Sequence, residues 1–570
     1  MSANKIIPQV EWKPSEIEKL KIESNYLRGT IVKSLADRAT GSVAPKDAQL
    51  IKFHGSYQQT DRDLDAERKT SKLEPLYSFM IRVRVPGGVS TSAQYLAFDA
   101  IADKYGSGTL KLTTRQAYQF HGLLKHNMKN TMRAMNATLL DSIAACGDVN
   151  RNVMCTSNEG LSPIVPEVCK YANEISEHLL PKTKAYHEIW LDDKLVAGGE
   201  PDFEPIYGVT YLPRKFKIAI AIPPYNDVDV FANDLALIAI EKDGVLLGFN
   251  IAVGGGMGTS FAEAGTYPRL ADVIGYISKD KTIQVIEEIV KIQRDNGNRE
   301  NRRFSRLKYT LDRIGTPQFI AELEARLGYA LEATKPYKFD SNCDVFGWRK
   351  AASGKWTLGL FIEHGRVKDE ANYKLKTALR EIAQLHICDF RLTGNQGLVL
   401  GDVNEKDKVK IDAIIAKYHI GSHKVISALR RNAIACVALN TCTLAFAEAE
   451  RYLPDLITKI DKLMNANKLG NDEILIRMTG CPNGCGRPFL GEIGLVGRSL
   501  GIYNLYLGAN FTGERLNTLY KEQLNEEQIL AELKPLIAQY AFERNANERF
   551  GDFVVRMEIV KPSNSVKIVK

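Results

Sequence analysis

The sequence predicts a mixed α+β protein of several domains in which one structural unit occurs twice. Its 570 residues are enough for about three or four domains. Hydrophobic residues make up 44% and charged residues 25%, as in ordinary folded proteins. Strand-like and helix-like segments alternate along the chain. The order strand, glycine turn, helix, strand recurs, which predicts two half-domains related by a pseudo-twofold axis.

The two copies of the repeated unit align on short strings of sequence. Lys-Leu-Thr-Thr-Arg-Gln at 111–116 matches Arg-Leu-Thr-Gly-Asn-Gln at 391–396 position by position. A site formed where two such halves meet would draw residues from both. The first copy comprises Phe79–Val85, Gly87–Gly88, Ala93–Lys104 and Thr109–Gln116; the second comprises Thr357–Ile362, Gly365, Ala371–Leu385 and Asp389–Gln396.

The remaining segments predict further strands and helices but no nucleotide site. Gly254–Gly256 follows an apolar strand, yet the GxGxxG spacing is missing, and no Walker loop occurs. Electrons for any redox reaction would therefore come from a partner. Strands are predicted at Lys215–Ile222 and Glu473–Met478, and helices at Ile283–Gln293, Leu444–Met464 and Ile529–Arg544.

Composition and charge exclude several classes of protein. No run reaches the roughly 18 apolar residues of a membrane span. The N-terminal segment is polar and lacks the apolar core of a signal peptide, so a cytoplasmic protein without membrane contact is predicted. A net charge of +8 is mild and does not by itself indicate nucleic acid. It suits an anionic substrate or a cofactor rich in carboxylates.

Four of the nine cysteines form two tight pairs. Five residues separate Cys436 from Cys442, and three separate Cys481 from Cys485. Four thiolates bind either zinc or an iron–sulfur cluster. The five-residue interval is wider than a usual zinc knuckle, and the Pro482-Asn483-Gly484 turn offers amides to cluster sulfurs. Spacing favours a cluster and leaves zinc, or unligated cysteines, as alternatives.

These motifs resemble those of the siroheme-dependent sulfite and nitrite reductases. Thr479-Gly-Cys-Pro-Asn-Gly-Cys485 is similar to the family signature, and Ala-Cys-Val-Ala-Leu-Asn-Thr-Cys at 435–442 is similar to its first cysteine pair. The resemblance covers nearly the whole chain and is strongest to the hemoprotein (β) subunits of the NADPH-dependent type. Further matching strings lie near residues 25, 57, 152 and 215.

The resemblance implies a fold and two cofactors. Two ferredoxin-like halves would form the pseudo-twofold repeat, joined by two α/β domains that bind siroheme and a [4Fe–4S] cluster. The expected division is 1–77 for an N-terminal wrapping segment, 78–143 for the first half, 144–344 for a siroheme-binding domain, 345–419 for the second half and 420–570 for the cluster and siroheme domain.

By resemblance, the four paired cysteines ligate the cluster, and Cys485 is also the axial ligand of the siroheme iron. Asn440 and Thr443 stand where family members commonly have proline. Because proline fixes φ and lacks an N–H, we expect this loop to be hydrogen-bonded differently here. The expected ligand set is Cys436, Cys442, Cys481 and Cys485.

Basic residues are expected to hold the anionic groups. Lys215 and Lys217 share one face of a predicted strand. A desolvated lysine among cations has a lowered pKa, so the two lysines are the better proton donors, whereas arginines suit anion binding. The resemblance assigns Arg82, Arg151, Lys215 and Lys217 to the substrate. It assigns Lys111 (often Arg in the family), Thr113, Arg115, Gln119, His121, Arg306 and Asn483 to cofactor binding.

The implied activity is the six-electron reduction of sulfite to sulfide in assimilatory sulfur metabolism and cysteine biosynthesis. Assimilatory reduction of nitrite to ammonia is the nearest alternative, and a non-catalytic four-cysteine zinc protein is a second. The expected electron donor is a flavoprotein α subunit with FAD and FMN that oxidises NADPH, with a ferredoxin as alternative.

Overall fold

A computed structural model describes residues 7, 10–183, 189–191, 194–197, 203–421, 423–563 and 565–569. Each copy of the predicted repeat forms a five-stranded antiparallel sheet, which confirms the repeat. In spatial order, the first sheet contains Ser56–Thr60, Tyr77–Arg82, Tyr118–Leu123, Leu110–Leu112 and Arg366–Val367. The second contains Gly347–Lys350, Trp356–Leu360, Leu398–Val403, Asp389–Leu392 and Val89–Thr91.

Each half contributes the last strand of the other half's sheet. Arg366 of the second half pairs with Lys111 of the first, and Val89 of the first pairs with Arg391 of the second. The turns before these strands approach the other half closely. A Cβ on Gly88 would lie 2.6 Å from the Leu392 carbonyl, and one on Gly365 would lie 2.1 Å from the Leu112 carbonyl.

Two further sheets mix parallel and antiparallel pairing and share one topology. They form a second repeat that the sequence strings did not reveal. In each, two parallel pairings are followed by two antiparallel ones. One sheet contains Met154–Cys155, Ile218–Ala221, Leu235–Lys242, Val245–Val253 and Asp272–Ser278. The other contains Ile434–Ala435, Ile476–Thr479, Ile493–Ser499, Ile502–Leu507 and Thr518–Leu524.

The second repeat extends to single hydrogen bonds. Loops 222–234 and 480–492 have the same length and connect equivalent strands. The Lys217 amide donates to the Asp234 carboxylate at 2.9 Å, and the Leu475 amide donates to the Glu492 carboxylate at 2.9 Å. Positions 258 residues apart therefore carry the same structural role.

Helices cover these sheets and bury their apolar faces in four main hydrophobic clusters. One cluster is shared by the two halves, where the Tyr95 and Phe390 rings stack at 4.2 Å. The main helices are Ser92–Tyr105, Met128–Asn136, Val165–His178, Thr282–Asn296, Leu307–Ile314, Thr316–Leu327, Leu375–Gln384, Lys408–Lys417, Leu453–Ala466, Glu526–Glu543 and Phe550–Arg556.

Shorter elements complete the described chain. Helices in the N-terminal region are Glu16–Glu23, Ile31–Ala36, Pro45–Leu50 and Asp65–Thr70, and Ala428–Arg431 precedes the first cysteine loop. Two-stranded hairpins are Ile189–Leu191 with Lys194–Ala197, and Asp369–Glu370 with Tyr373–Lys374. None of the helices in the described residues combines the length and hydropathy needed to cross a membrane.

One predicted helix is wrong at its start. The chain between Leu444 and Tyr452 is a run of turns, and the helix begins at Leu453. Leu453 is followed by proline, which suits the first turn of a helix because its missing N–H has no intrahelical partner there. The irregular stretch keeps Ala445 and Phe446 next to the cysteine loops.

A buried ion cluster joins the two mixed sheets. Asp229 and Arg487 stand at equivalent positions of loops 222–234 and 480–492, both with positive φ, and they form an ion pair. Arg477 donates to the same carboxylate at 2.6 Å. Asp229 is fully buried, so its charge requires these partners.

Replacing Asp229 with Asn should destabilise the chain by about 3–5 kcal/mol, because two buried guanidinium groups lose their counter-charge. The measurement is the shift of the thermal unfolding midpoint. Asp63→Asn is the matched control, since Asp63 forms an exposed pair with Arg451 and should change stability by less than about 1 kcal/mol. Equal shifts in the two variants would contradict the role of the buried cluster.

Candidate active site

Parallel strand pairing brings both cysteine loops to one edge of a sheet. Ile434–Ala435 pairs in parallel with Ile476–Thr479, so the chain leaves both strands in the same direction. Cys436 directly follows the first strand, and Cys481 follows the second after Gly480. The Cys436 amide donates to the Met478 carbonyl at 3.3 Å. The fold therefore places the two predicted ligand pairs side by side.

Hydrogen-bond donors point at the cysteine sulfurs. The Gly480 amide donates to Cys436 Sγ at 3.4 Å, and Asn483 Nδ2 donates to Cys481 Sγ at 3.5 Å. A side chain at Gly480 would lie 2.4 Å from the Ala447 carbonyl, so only glycine fits there. Donors of this kind stabilise sulfur that carries negative charge. Asn483, predicted to bind cofactor, thus contacts a predicted cluster ligand.

The four thiols act on one another electrostatically. Burial, and after it the charge of Cys485, together raise the pKa of Cys481 to about 12. Burial also raises the pKa of Cys436 and Cys442, and Cys485 again contributes. Thiolates in this place therefore need a shared positive centre. Within the described residues, no three His, Cys, Asp or Glu side chains converge on a single metal ion.

Cys485 differs from the other three cysteines because it is exposed. Its carbonyl accepts a hydrogen bond from Thr114 Oγ1 of the first half at 3.1 Å. Thr259, in the loop that follows Gly254–Gly256, donates its amide to the Pro482 carbonyl at 2.8 Å. The exposed sulfur therefore lies where the first half and both mixed sheets meet.

Two lysines lie within electrostatic reach of this sulfur. Lys215 and Lys217 are half-buried on one side of their segment, while Phe216 and Ile218 are buried on the other. Their ammonium groups have no hydrogen bond or ion pair in the part of the chain that the structure describes. Charge on Cys485 acts on both lysines. The pair forms an uncompensated cationic surface.

Burial and neighbouring cations lower the pKa of both lysines. Burial first, and then the charges of Arg214, Arg151 and Arg306, together lower the pKa of Lys215 to about 7. Burial and then the Lys215 charge lower the pKa of Lys217 well below its usual range. An anion bound here would gain strong attraction, and Lys215 can give up a proton near neutral pH.

A series of hydrogen-bonded polar side chains holds Arg82 in place. Arg82 donates through Nε and Nη2 to Gln119 Oε1 at 3.0 and 2.8 Å, and through Nη1 to Cys146 Sγ at 3.3 Å. Gln119 Nε2 lies 2.7 Å from His121 Nε2, and His121 Nδ1 lies 3.2 Å from Gln59 Oε1. Burial lowers the pKa of His121 to about 3, so the ring is neutral. Nδ1 therefore donates to Gln59, and Nε2 accepts from Gln119.

Arg151 and Arg115 are held by backbone and side-chain acceptors near the lysines. Arg151 donates to the Gly147 carbonyl at 3.3 and 3.1 Å. Arg115 donates to Asn233 Oδ1 at 2.7 Å and to the Ile218 carbonyl at 2.5 Å, but its buried Nε has no hydrogen-bond partner among the residues that the structure describes. Burial lowers the pKa of Arg115 to about 9. An orphaned donor of this kind is suited to an anionic group.

Three predicted cofactor residues have protein partners instead. Lys111 is buried in an ion pair with Glu450 and donates to the His364 carbonyl. Arg306 forms a two-pronged pair with Asp234 at 2.9 and 2.7 Å. The Thr113 hydroxyl accepts the amides of Arg115 and Ala117 and shapes the turn. Their contact with a cofactor stays a prediction.

Sequence reasoning missed several residues of this region. Glu450 neutralises Lys111 and Arg366, and it lies 339 positions from Lys111. Arg214 adjoins the Lys215–Lys217 segment, and Arg62 contacts the first cysteine loop. For Arg214 the signal was its place beside two basic residues. The sequence holds no spacing signal for Glu450 or Arg62.

Comparison with known proteins identifies the same units. A family model described as nitrite/sulfite reductase ferredoxin-like half domain matches residues 73–138 and 349–418. A second, described as nitrite and sulphite reductase 4Fe-4S domain, matches residues 171–331. The second match contains Lys215 and Lys217, whereas the four paired cysteines lie in the equivalent mixed sheet. The fold resembles the structure of Mycobacterium tuberculosis NirA protein, with a TM-score of 0.76 and 24% identity, covering 95% of this chain and 96% of that one.

Curated relatives extend over the full length. A protein of Anoxybacillus flavithermus named sulfite reductase [NADPH] hemoprotein beta-component is 57% identical over 550 residues, covering 96% of both chains. The proteins of the same name from Lysinibacillus sphaericus and Bacillus subtilis are 55% and 53% identical, covering 98% of this chain and 97% and 98% of theirs. This chain belongs to the nitrite and sulfite reductase family.

Proposed function

We propose that this chain is the hemoprotein subunit of an assimilatory sulfite reductase and reduces sulfite to sulfide with six electrons. The observation that carries the proposal is a pair of ammonium groups, Lys215 and Lys217, which have no partner among the described residues and lie within electrostatic reach of the exposed Cys485. A small oxyanion fits such a surface because it gains charge-assisted hydrogen bonds from several cations. The names of the relatives support sulfite as that anion.

The residues fit the two cofactors that the family implies. Cys436, Cys442, Cys481 and Cys485 are four thiols that need a shared positive centre, as a [4Fe–4S] cluster supplies. The orphaned Nε of Arg115 would hold a carboxylate of a siroheme, Lys215 and Lys217 would hold the anionic substrate, and the exposed sulfur of Cys485 would bind the siroheme iron. When bound, the two groups would supply redox-active iron and electrons.

Protons must reach the substrate because three oxygens leave sulfite as water. Lys215 has a pKa of about 7, so its ammonium both binds an anion and donates a proton at neutral pH. Guanidinium groups stay charged at neutral pH, so we assign fixed anion binding to Arg82 and Arg151, which are oriented by Gln119 and by the Gly147 carbonyl. In this proposal the lysines deliver protons as well as bind the anion, whereas the arginines only bind it.

Electrons are proposed to come from a separate protein. The relatives are named beta-components of an NADPH enzyme, and the sequence has no dinucleotide fingerprint. A flavoprotein α subunit that carries FAD and FMN and oxidises NADPH fits both facts, with a ferredoxin as the alternative donor. We place the enzyme in the cytoplasm, where NADPH is available and thiols stay reduced. The product would serve cysteine biosynthesis.

Cys436→Ser, Cys442→Ser and Cys481→Ser should each lose the cluster, because a hydroxyl is a poor substitute for a soft thiolate. Iron and acid-labile sulfide per chain are the measurement. Cys388→Ser, at a half-buried cysteine away from both loops, is the control and should load normally. Full iron and sulfide content in any of the three variants would remove that residue from the ligand set.

The purified chain should reduce sulfite with reduced methyl viologen but should not oxidise NADPH by itself, because its sequence has no dinucleotide fingerprint. Sulfide formation and NADPH absorbance are the two measurements, and nitrite is run in parallel to compare kcat/KM. NADPH oxidation by the isolated chain would disprove the need for a partner. A higher kcat/KM for nitrite would favour the alternative activity.

Lys215→Met or Lys217→Met should lower turnover at saturating sulfite by about 10²–10⁴-fold, because proton donation is lost while side-chain volume is kept. Siroheme absorbance should be retained. In the unsubstituted enzyme, kcat should fall as the pH rises above about 7, where Lys215 loses its proton. Lys338→Met, at an exposed lysine paired with Asp340, is the control. A loss below about threefold would disprove the donor role.

A further inference from the structure

Residues just after the first strand of the first half contact the first cysteine loop. The Arg62 amide donates to the Asn440 carbonyl at 3.2 Å, and Asn440 Nδ2 donates to Asp61 Oδ1 at 2.7 Å. Arg62 Nη1 donates to the Ala445 carbonyl at 2.6 Å and to the Cys442 carbonyl at 3.3 Å. Four hydrogen bonds thus join this turn to the loop that carries Cys442.

The turn that supplies these contacts is itself well fixed. Ser56–Thr60 pairs along its length with Tyr77–Arg82, and the Asp61 amide donates to the Leu76 carbonyl at 3.2 Å. Arg62 therefore leaves the end of a paired strand. A side chain held on a regular element positions its contacts better than one on a free loop.

The cysteine loop depends on outside partners because it has little regular structure. Between Ala435 and Leu453 the chain consists of turns and bends. The backbone carbonyls there are not paired in a helix or sheet. Where they are buried or half-buried, they need hydrogen-bond donors from elsewhere in the protein. Arg62 supplies two of these donors with one guanidinium. Asn440, which stands where family members commonly have proline, adds a side-chain bond that proline could not make.

The charge of Arg62 also reaches the ligand. The guanidinium Nη1 donates to the Cys442 carbonyl at 3.3 Å, which places the positive charge next to the residue that carries the ligand sulfur. Four thiolates make the expected cluster anionic, and each added electron makes it more so. A fixed cation close to one ligand therefore favours the reduced form, since reduction potential follows net charge and outer hydrogen bonds.

We propose that Asp61 and Arg62 are positioning residues for the cluster: their contacts with Asn440, Cys442 and Ala445 hold the loop in its ligating shape, and the Arg62 charge raises the reduction potential. We call these two residues the clamp. The proposal rests on the proposed function only in taking Cys442 as a cluster ligand. The clamp touches no substrate.

Arg62→Gln and Arg62→Lys separate the two effects in the full-length, cofactor-loaded chain. Arg62→Gln should lose the cluster to a chelator about tenfold faster, as when outer partners of metal ligands are removed. Its reduction equilibrium constant should fall about threefold, or about 28 mV for one electron. Arg62→Lys should keep the potential and lose the cluster faster, because it keeps the charge but not the two-carbonyl geometry.

The Asp61–Asn440 bond is tested by a double-mutant cycle on the rate of cluster loss. Asp61→Ala and Asn440→Ala should each accelerate loss, and the double variant should be no worse than either one. Arg451→Gln is the matched control, since Arg451 forms exposed pairs with Asp63 and Glu448 beside the same loop. Its rate and potential should equal those of the unsubstituted chain.

Two results would overturn the proposal. One is a potential and a loss rate for Arg62→Gln that equal those of the Arg451→Gln control. The other is strict additivity of Asp61→Ala and Asn440→Ala, which would mean that the two side chains do not act together. If the clamp variants respond as expected but the unsubstituted chain does not reduce sulfite with reduced methyl viologen, the clamp stands and the proposed activity fails.

Discussion

Asp229 and Arg487 occupy equivalent turns of the two mixed sheets and bind each other where all four sheets meet. Arg487 also donates to the carbonyls of Thr114 and Gly394, which are equivalent positions of the two halves, at 3.0 and 2.7 Å. One guanidinium thus touches every repeated unit. Because a buried charge without partners is very unfavourable, this junction has little freedom to shift. Cys485 lies two residues from Arg487, so this junction also fixes the position of Cys485.

The same junction explains how so much positive charge collects in one place. Glu450 neutralises Lys111, and Asp234 neutralises Arg306, so these two cations stabilise the fold. Among the described residues, Lys215 and Lys217 have no such acidic partner, and their mutual repulsion is an unfavourable interaction that a bound anion would relieve. The acidic side chains of Glu450 and Asp234 therefore pair with the supporting cations and not with Lys215 and Lys217.

Local sequence could predict the first repeat, the cysteine pairs and the face shared by Lys215 and Lys217, since each depends on spacing within a few residues. It could not predict that Lys111 meets Glu450, because their contact depends on the packing of distant domains. The second repeat was missed because equivalent residues such as Asp229 and Arg487 differ in chemistry while their backbones agree. The helix predicted from Leu444 failed because contacts with the cysteine loops outweighed helical periodicity.

Each half completes its partner's sheet with Val89–Thr91 or Arg366–Val367. A half made alone would lack its last strand and expose the unpaired edge of the strand that this segment covers. Such an arrangement ties the two copies together, because deleting either copy would remove the strand that completes the other copy's sheet. Divergence can therefore alter the side chains of either copy, but the number of copies stays at two.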